Sequence, residues 1–273
     1  MKLLAPELIP RNFELLAEIE RDTKSIYRML VFSPELQAGD LLQRYFQAIQ
    51  HLRDILNFKN AQQEAQSEAE ARCYLAHLET AMAMMVDEIR ASVCISNPIH
   101  LFRLFRAVAP DAAARHPNRY RDTIVQVGPY IPPEPPFIPG LMDELFYALP
   151  QISHPLLRAV WLHHELIRIH PFVDGNGRIG RMAKNWILMY ELYPPIFIYG
   201  LSDRQRYIRY IEKSFLELES EPDRFHQSTR TFFEDELRRV KASTGFLLAR
   251  MLRDINQPFG EEDMEIRPHG AQD

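Results

Sequence analysis

The segment His170-Pro-Phe-Val-Asp-Gly-Asn-Gly-Arg-Ile-Gly-Arg181 gathers a proton acceptor, a carboxylate, a glycine and asparagine turn and two guanidinium groups into one short stretch. Gly175, Asn176 and Gly177 can take the backbone angles that aim successive N–H groups into one concavity. A helix starting there adds its own unpaired N–H groups and the positive end of its dipole, which makes an anion hole. Arg178 and Arg181 stand three apart on that helix, share a face near its N-terminal end, and can bracket a polyphosphate. Asp174 lies in the turn itself, and a single carboxylate beside phosphates is a common way of holding Mg²⁺, the nucleotide and water completing the octahedron. His170 sits where the incoming helix ends, and its imidazole can take a proton from an attacking hydroxyl near neutral pH. Taken singly, each residue has a plainer role: Phe172 anchors the loop, Pro171 stiffens it, and a histidine before a turn is usually a cap, the class in which His163 and His164 remain. The conjunction is what favours chemistry at His170. Gly175-x-Gly177-x-x-Gly180 also spells the glycine pattern of dinucleotide-binding folds, but a helix rather than a strand precedes it and no βαβ alternation surrounds it.

These groups need rigid elements on both sides. Helical spacing covers 154–169, with Ser153 as expected cap and Pro155 in the first turn, and its apolar residues reach around most of the circumference, as in the middle of a bundle. A second helix is expected over 177–192, ended by Pro194-Pro195, with further helices over 203–218 and 223–256. Upstream, helix-spaced apolar residues predict helices broken near Ser33-Pro34 and near 57–60. A longer helix carries Leu75, Leu78, Met82, Met85, Ile89 and Val93 until Asn97-Pro98 stops it, its methionines read as core. Thr123-Ile-Val-Gln-Val127 is short and β-branched and runs into Gly128-Pro129 and a proline-rich stretch, which predicts a small β-hairpin. The residues after Pro258 have no periodicity and read as a frayed tail.

With 273 residues, a sizeable core needs no disulfide staples, and Cys73 and Cys94, without metal-ligand spacing, fit a reducing compartment. The start meets Glu7, Pro10 and Arg11 before a signal-type apolar run can form, and no stretch is apolar over a bilayer span, so a soluble, cytoplasmic protein without a membrane partner is expected. A net charge of −5 with interleaved signs carries no electrostatic footprint for nucleic acid.

The 170–181 segment resembles the Fic domain enzymes, whose motif reads His-x-Phe-x-(Asp/Glu)-Gly-Asn-Gly-(Arg/Lys)-x-x-Arg; every position is matched, and the resemblance extends from about Tyr120 to the region near Tyr210. It implies an all-α, mostly helical fold with a small β-hairpin flap, and transfer of AMP from ATP to a Ser, Thr or Tyr hydroxyl of a target protein. By the same resemblance His170 is the general base and Asp174 the Mg²⁺ ligand, while Gly175, Asn176, Gly177 and Arg178 belong to the phosphate cradle. Arg181 is then the γ-phosphate ligand, Asn185 a nucleotide contact, and Asp203-Arg-Gln-Arg-Tyr207 the adenine-pocket stretch. Ile208 and Phe215 depart from the family's pattern there, so base identity is less secure than phosphate chemistry. Val125, Gln126 and Val127 resemble the flap that holds the target segment extended by backbone pairing. The chain then divides into an N-terminal helical region over 1–100, a core with flap and active-site loop over 101–220, and a C-terminal helix and tail over 221–273. Pairing with a second copy of the chain, and delivery into a host cell as an effector, stay open.

Many relatives carry an inhibitory helix with the pattern (Ser/Thr)-x-x-x-Glu-(Gly/Asn), whose glutamate pairs with the second arginine of the motif. Here the expected match is Ser92-Val-Cys-Ile-Ser96-Asn97, with a serine at the glutamate position. This predicts an Arg181 without an intramolecular carboxylate, and an enzyme that transfers without release from its own helix. Rival readings are another nucleotide or a phosphocholine donor, removal of AMP, and a regulatory module that binds nucleotide without turnover.

Overall fold

Residues on every side of two consecutive helices are buried, polar ones included, so these helices have no face to give to water. The computed structural model describes residues 1–32 and 39–256 and places these two helices, Pro155–Ile169 and Asn176–Tyr190, at the centre. Trp161 and Trp186 are wholly buried on them. In chain order the described helices are α1 (Glu14–Phe32), α2 (Leu41–Ala48), α3 (Gln50–Glu64), α4 (Glu68–Arg90), α5 (Pro98–Val108), α6 (Pro110–Arg115), α7 (Ile138–Ala148), α8 (Pro155–Ile169), α9 (Asn176–Tyr190), α10 (Gly200–Ser220) and α11 (Gln227–Asn256). α8 packs along α9, α11 crosses both α1 and α10, and α3 to α5 stack beside the start of α9. One continuous core runs from Leu3 to Met251. The first residues belong to it: Trp161 donates to the Leu4 carbonyl at 2.8 Å, and Arg168 to that of Lys2 at 2.7 Å.

α8 and α9 pack tightly because Gly180 faces α8: a Cβ there would stand 2.8 Å from Ile167 Cδ1. Beside this contact lies a buried polar cluster that sequence periodicity could not show, with Lys184 paired to Glu236 and Arg239 joining Glu236 at 2.8 Å. His163 and His164 are wholly buried rather than caps, and burial pushes His163 down to about 3, so it is neutral. His164 bonds Glu165 at 2.7 Å and Ser214 at 2.9 Å.

Several local expectations change. α3 runs unbroken through 57–60, because Asn57 and Asn60 are buried and tertiary packing overrides the modest helix preference of asparagine. α4 ends at Arg90 rather than at Asn97-Pro98; Asn97 instead caps α5, accepting from the His100 N–H at 3.1 Å, with Pro98 in the first turn. α8 is capped by His154, whose Nδ1 accepts from the Leu156 N–H at 3.3 Å, and not by Ser153. The expected hairpin is not formed: Val127 and Tyr130 make one antiparallel bridge across the Gly128-Pro129 turn, through bonds of 2.9 and 3.0 Å. The prolines that follow supply no N–H groups with which a ladder could continue. The break at Ser33-Pro34 and the tail after Pro258 lie outside the described residues. No described helix is long and apolar enough to cross a membrane.

Candidate active site

α8 ends at Ile169, and His170 takes a left-handed conformation, φ 52°, that turns the chain out of the helix. Phe172 plugs the following loop into the core, stacked on Phe105 with ring centroids 4.0 Å apart. Asn176 closes the loop, since its Oδ1 accepts from the Phe172 N–H at 3.0 Å and its Nδ2 donates to the Phe172 carbonyl at 2.8 Å. Gly175, at φ 81°, supplies the positive angle that lets α9 start at once. The side chain of Asn176 is thus consumed in building the loop, and the anion-binding capacity comes from the backbone N–H groups at the start of α9.

A cavity of about 280 Å³ opens at this helix start, bordered among others by His170, Asp174, Gly175, Asn176, Gly177, Arg181, Val127 and Tyr207. It lies just below the roughly 300–1,000 Å³ usual for ligand sites. Glu64, from the last turn of α3, reaches into it. A larger cavity of about 650 Å³ lies among α3, α10 and α11, but its Arg206 and Arg239 are taken up by Asp203 and Asp235, so the groups able to do chemistry border the smaller one.

Burial pushes the His170 imidazole down to about 4; Arg121 adds to the effect, while the Ile167 carbonyl, Asp174 and Glu64 oppose it. Nδ1 lies 3.3 Å from the Ile167 carbonyl. A proton on Nδ1 donated to that carbonyl leaves Nε2 with a free lone pair. Asp174 is exposed at the mouth, accepting from the Gly175 N–H at 2.6 Å and lying 3.4 Å from Arg178. No cluster of three or more metal-ligating side chains occurs among the described residues, so a cation here would depend on one hard carboxylate, water and the ligand's own oxygens.

The expected cradle does not assemble as a set. Arg178 is buried and turned away, its guanidinium 3.8 Å from the Tyr74 ring centre and donating to the Val108 carbonyl at 3.2 Å. Asn185 is wholly buried and bonds both the N–H and the carbonyl of Ile196, at 2.8 and 3.0 Å, which fixes the segment before α10. Neither borders the cavity. Tyr207 does, with its ring stacked on His163 and its hydroxyl 3.1 Å from His163 Nε2. Val125 and Val127 are half-buried, and Gln126 is exposed, its side chain bonded to the Gly128 carbonyl at 2.8 Å.

The regulatory expectation is overturned. Arg181 donates to Glu64 Oε1 at 2.7 Å and through Nε to Asn60 Oδ1 at 3.0 Å. Burial pushes the Glu64 carboxyl up, but the charge and hydrogen bond of Arg181 outweigh it and hold Glu64 below the ordinary carboxylate value. Ser92, Ser96 and Asn97 are elsewhere: Ser92 sits in a left-handed turn at φ 61°, Ser96 bonds His100, and Asn97 caps α5. The usable signal was Asn60-x-x-x-Glu64-Ala65, which keeps the glutamate of the family pattern and alters both of its flanks. A match scored on serine and asparagine finds the wrong helix end, because the carboxylate is the group that pairs with the arginine.

Residues 97–188 match the model of the Fic/DOC family. A protein adenylyltransferase Fic of Nematostella vectensis is 36% identical over 118 residues, which are 42% of this chain and 27% of that relative's length. The match therefore spans about a quarter of the relative. A Fic domain containing signaling protein from Bacteroides thetaiotaomicron VPI-5482 superposes with a TM-score of 0.67 at 16% identity, covering 88% of this chain and 98% of that one. IbpAFic2 covalently tethered to Cdc42 superposes with a TM-score of 0.52 at 16% identity, covering 88% of this chain and 73% of that one. Sequence motif and helical architecture agree with these matches, and residues 97–188 of this chain are similar to the Fic/DOC family.

Proposed function

We propose that the chain transfers AMP from ATP to a hydroxyl of a target protein, with Glu64 holding it in an inhibited form. The observation that carries the reading is the joint placement of His170, the start of α9 and Arg181 around one cavity. In the reaction the hydroxyl oxygen forms a bond to the α-phosphorus, the bond from that phosphorus to the bridging oxygen breaks, and pyrophosphate leaves. The hydroxyl proton passes to Nε2 of His170. Backbone N–H groups of Gly175 to Gly177 and the dipole of α9 stabilise phosphate charge, the largest contribution such a site can make. Arg181, once parted from Glu64, receives the γ-phosphate. Asp174 would hold Mg²⁺ together with phosphate oxygens and water, and the ion would neutralise part of the triphosphate's charge. Arg178 and Asn185 serve the site through the loop and the segment they hold rather than by direct contact.

A target protein docked along 125–127 fits the exposed Ile124 and Ile131 on either side of the turn, and IbpAFic2 tethered to Cdc42 is a related arrangement. The test is incubation of the Glu64→Gly chain with lysate and ATP labelled at either the α- or the γ-phosphate. Label retained on protein only from the α-position supports AMP transfer, whereas γ-label on protein, or none from either, overturns it. Glu64 also favours a second reading, removal of AMP, an activity attributed to this glutamate in relatives. Release of AMP from an already modified target by the parent chain, and not by Glu64→Gly, would establish it.

The titration of His170 makes a separate expectation. Its value in the free chain is lowered from 6.5 to about 4, so the base form persists as pH falls, until about pH 4. The acid limb of kcat/KM, which reports the free enzyme, is expected near pH 4 rather than near 6.5. Because the unfolded chain takes up this proton first, the same residue makes stability decline as pH falls from 6.5 toward 4. A rate profile over pH 4–8 checks this, and an acid limb centred near 6.5 would contradict a buried, neutral base.

A further inference from the structure

The guanidinium of Arg121 is buried, and no carboxylate pairs with it among the described residues. It is surrounded instead by main-chain oxygens: Nε donates to the His170 carbonyl at 2.7 Å, Nη1 to that of Thr123 at 2.6 Å, and Nη2 to those of Pro133 at 2.5 Å and Ile169 at 3.4 Å. Two of these acceptors are the carbonyls of Ile169, the last residue of α8, and of His170, its C-cap, where the helix dipole is negative and a cation is stabilised without a counter-ion. The other two mark the beginning and end of the segment 123–133, which is exposed at Thr123, Ile124, Gln126 and Ile131. The backbone N–H of Arg121 adds a bond to the Pro171 carbonyl at 2.8 Å. One side chain therefore closes a ring between the residue carrying the imidazole and both ends of the turn bordering the cavity. His170 is also held at φ 52°, which a side chain with a Cβ adopts at a cost and keeps only where its surroundings hold it.

We propose that Arg121 is a positioning residue that sets the segment 123–133 and the His170 imidazole in one register, so that a hydroxyl held by that segment meets Nε2. The inference rests on the AMP-transfer reading for the use made of that register, while the coupling itself is a property of the ring of carbonyls. Arginine suits the task because its planar fork reaches several acceptors at once; lysine keeps the charge but presents a single ammonium point. Among the described residues the Arg121 side chain makes no hydrogen bond to Arg181 or to the start of α9, so the phosphate side should be little affected by its loss.

The test compares Arg121→Met and Arg121→Lys in the Glu64→Gly chain. For Arg121→Met the expected result is a fall of about 10²-fold in kcat for the target, the usual consequence of misplacing reacting groups by about 1 Å. ATP affinity measured by calorimetry should stay within about twofold of the parent, since the phosphate side is not touched. Arg121→Lys should lie between, about tenfold below the parent. Unchanged transfer below the melting temperature of either variant, or ATP affinity falling in step with transfer, overturns the role. Where Arg121→Met does not fold, Arg121→Lys at parent activity is sufficient to reject it. Should the Glu64→Gly chain itself transfer nothing, the AMP reading fails, and the coupling is then decided by the His170 ring resonance. The charged groups acting on that ring are Arg121, Asp174 and Glu64. Loss of the Arg121 charge should move the resonance and raise its titration midpoint, and an unmoved resonance in both variants overturns the coupling.

Discussion

In a chain released by Glu64→Gly, His170→Ala is expected to lower AMP transfer by about 10²–10⁴-fold, the range for loss of one general base, while ATP binding is kept. In the proposed reaction the two effects separate, because the imidazole would act only on the incoming hydroxyl, whereas phosphate would be held by backbone N–H groups at the start of α9. Position 170 has φ 52°, so alanine there also carries backbone strain. His170→Asn is the better-matched variant, because asparagine enters the left-handed region readily and supplies no base near neutral pH. Both variants should show the same loss in a labelling assay with ATP marked at the α-phosphate, together with unchanged ATP affinity by calorimetry. Transfer by His170→Asn at the rate of the released chain would mean that another group takes the proton.

Glu64→Gly is expected to raise both ATP affinity and transfer by about 10–100-fold over the parent, the equivalent of one charge-assisted hydrogen bond of about 1.5–3 kcal/mol that no longer competes. Glu64 Oε1 lies 2.7 Å from Arg181 Nη2, and also 3.2 Å from where a Cβ on Gly177 would stand, so the carboxylate covers the start of α9 as well as the arginine. The triphosphate therefore meets a negative group both at the N–H concavity and at its terminal phosphate's partner. Among the described residues, removing the carboxylate leaves a 4% exposed Arg181 with Asn60 as its remaining partner, which should lower the melting temperature of the free chain. Bound ATP should restore it, so the thermal shift produced by ATP grows in the variant. Equal shifts and equal labelling in parent and variant would mean that the pair seen at Arg181 does not restrain the enzyme.

The residues that border the cavity were legible along the chain because most of them are contiguous. Within 170–181 His170, the turn, the helix start and Arg181 follow one another with helical and turn spacing, and they line one cavity. α8 was readable for a similar reason, since apolar residues on every side of a helix can be satisfied only by burial. Elements whose state depends on distant partners were not readable. α3 continues through Asn57 and Asn60 because Asn60 accepts from Arg181, 121 residues away. The β-branched stretch before Gly128 looks like a strand, yet its backbone finds one bridge and the Arg121 guanidinium in place of a ladder.

What the sequence determined by itself is therefore the glycine and asparagine turn at the start of α9, its preceding histidine and the helical character of the chain, all consequences of residues close to one another in sequence. Tertiary structure alone decided which way each polar side chain of that turn faces. Arg178 and Asn185 lie on the helix that begins at the cavity, but α9 is buried on every side, and its neighbours claim them for Val108, Tyr74 and Ile196. Tertiary structure likewise decided that the carboxylate paired with Arg181 is Glu64 and not a group near Ser96. A short consensus tolerates change at its flanks, whereas an arginine 4% exposed to solvent requires a negative or polar partner within hydrogen-bond reach. Only the packing of α3 against the start of α9 identifies which residue supplies it.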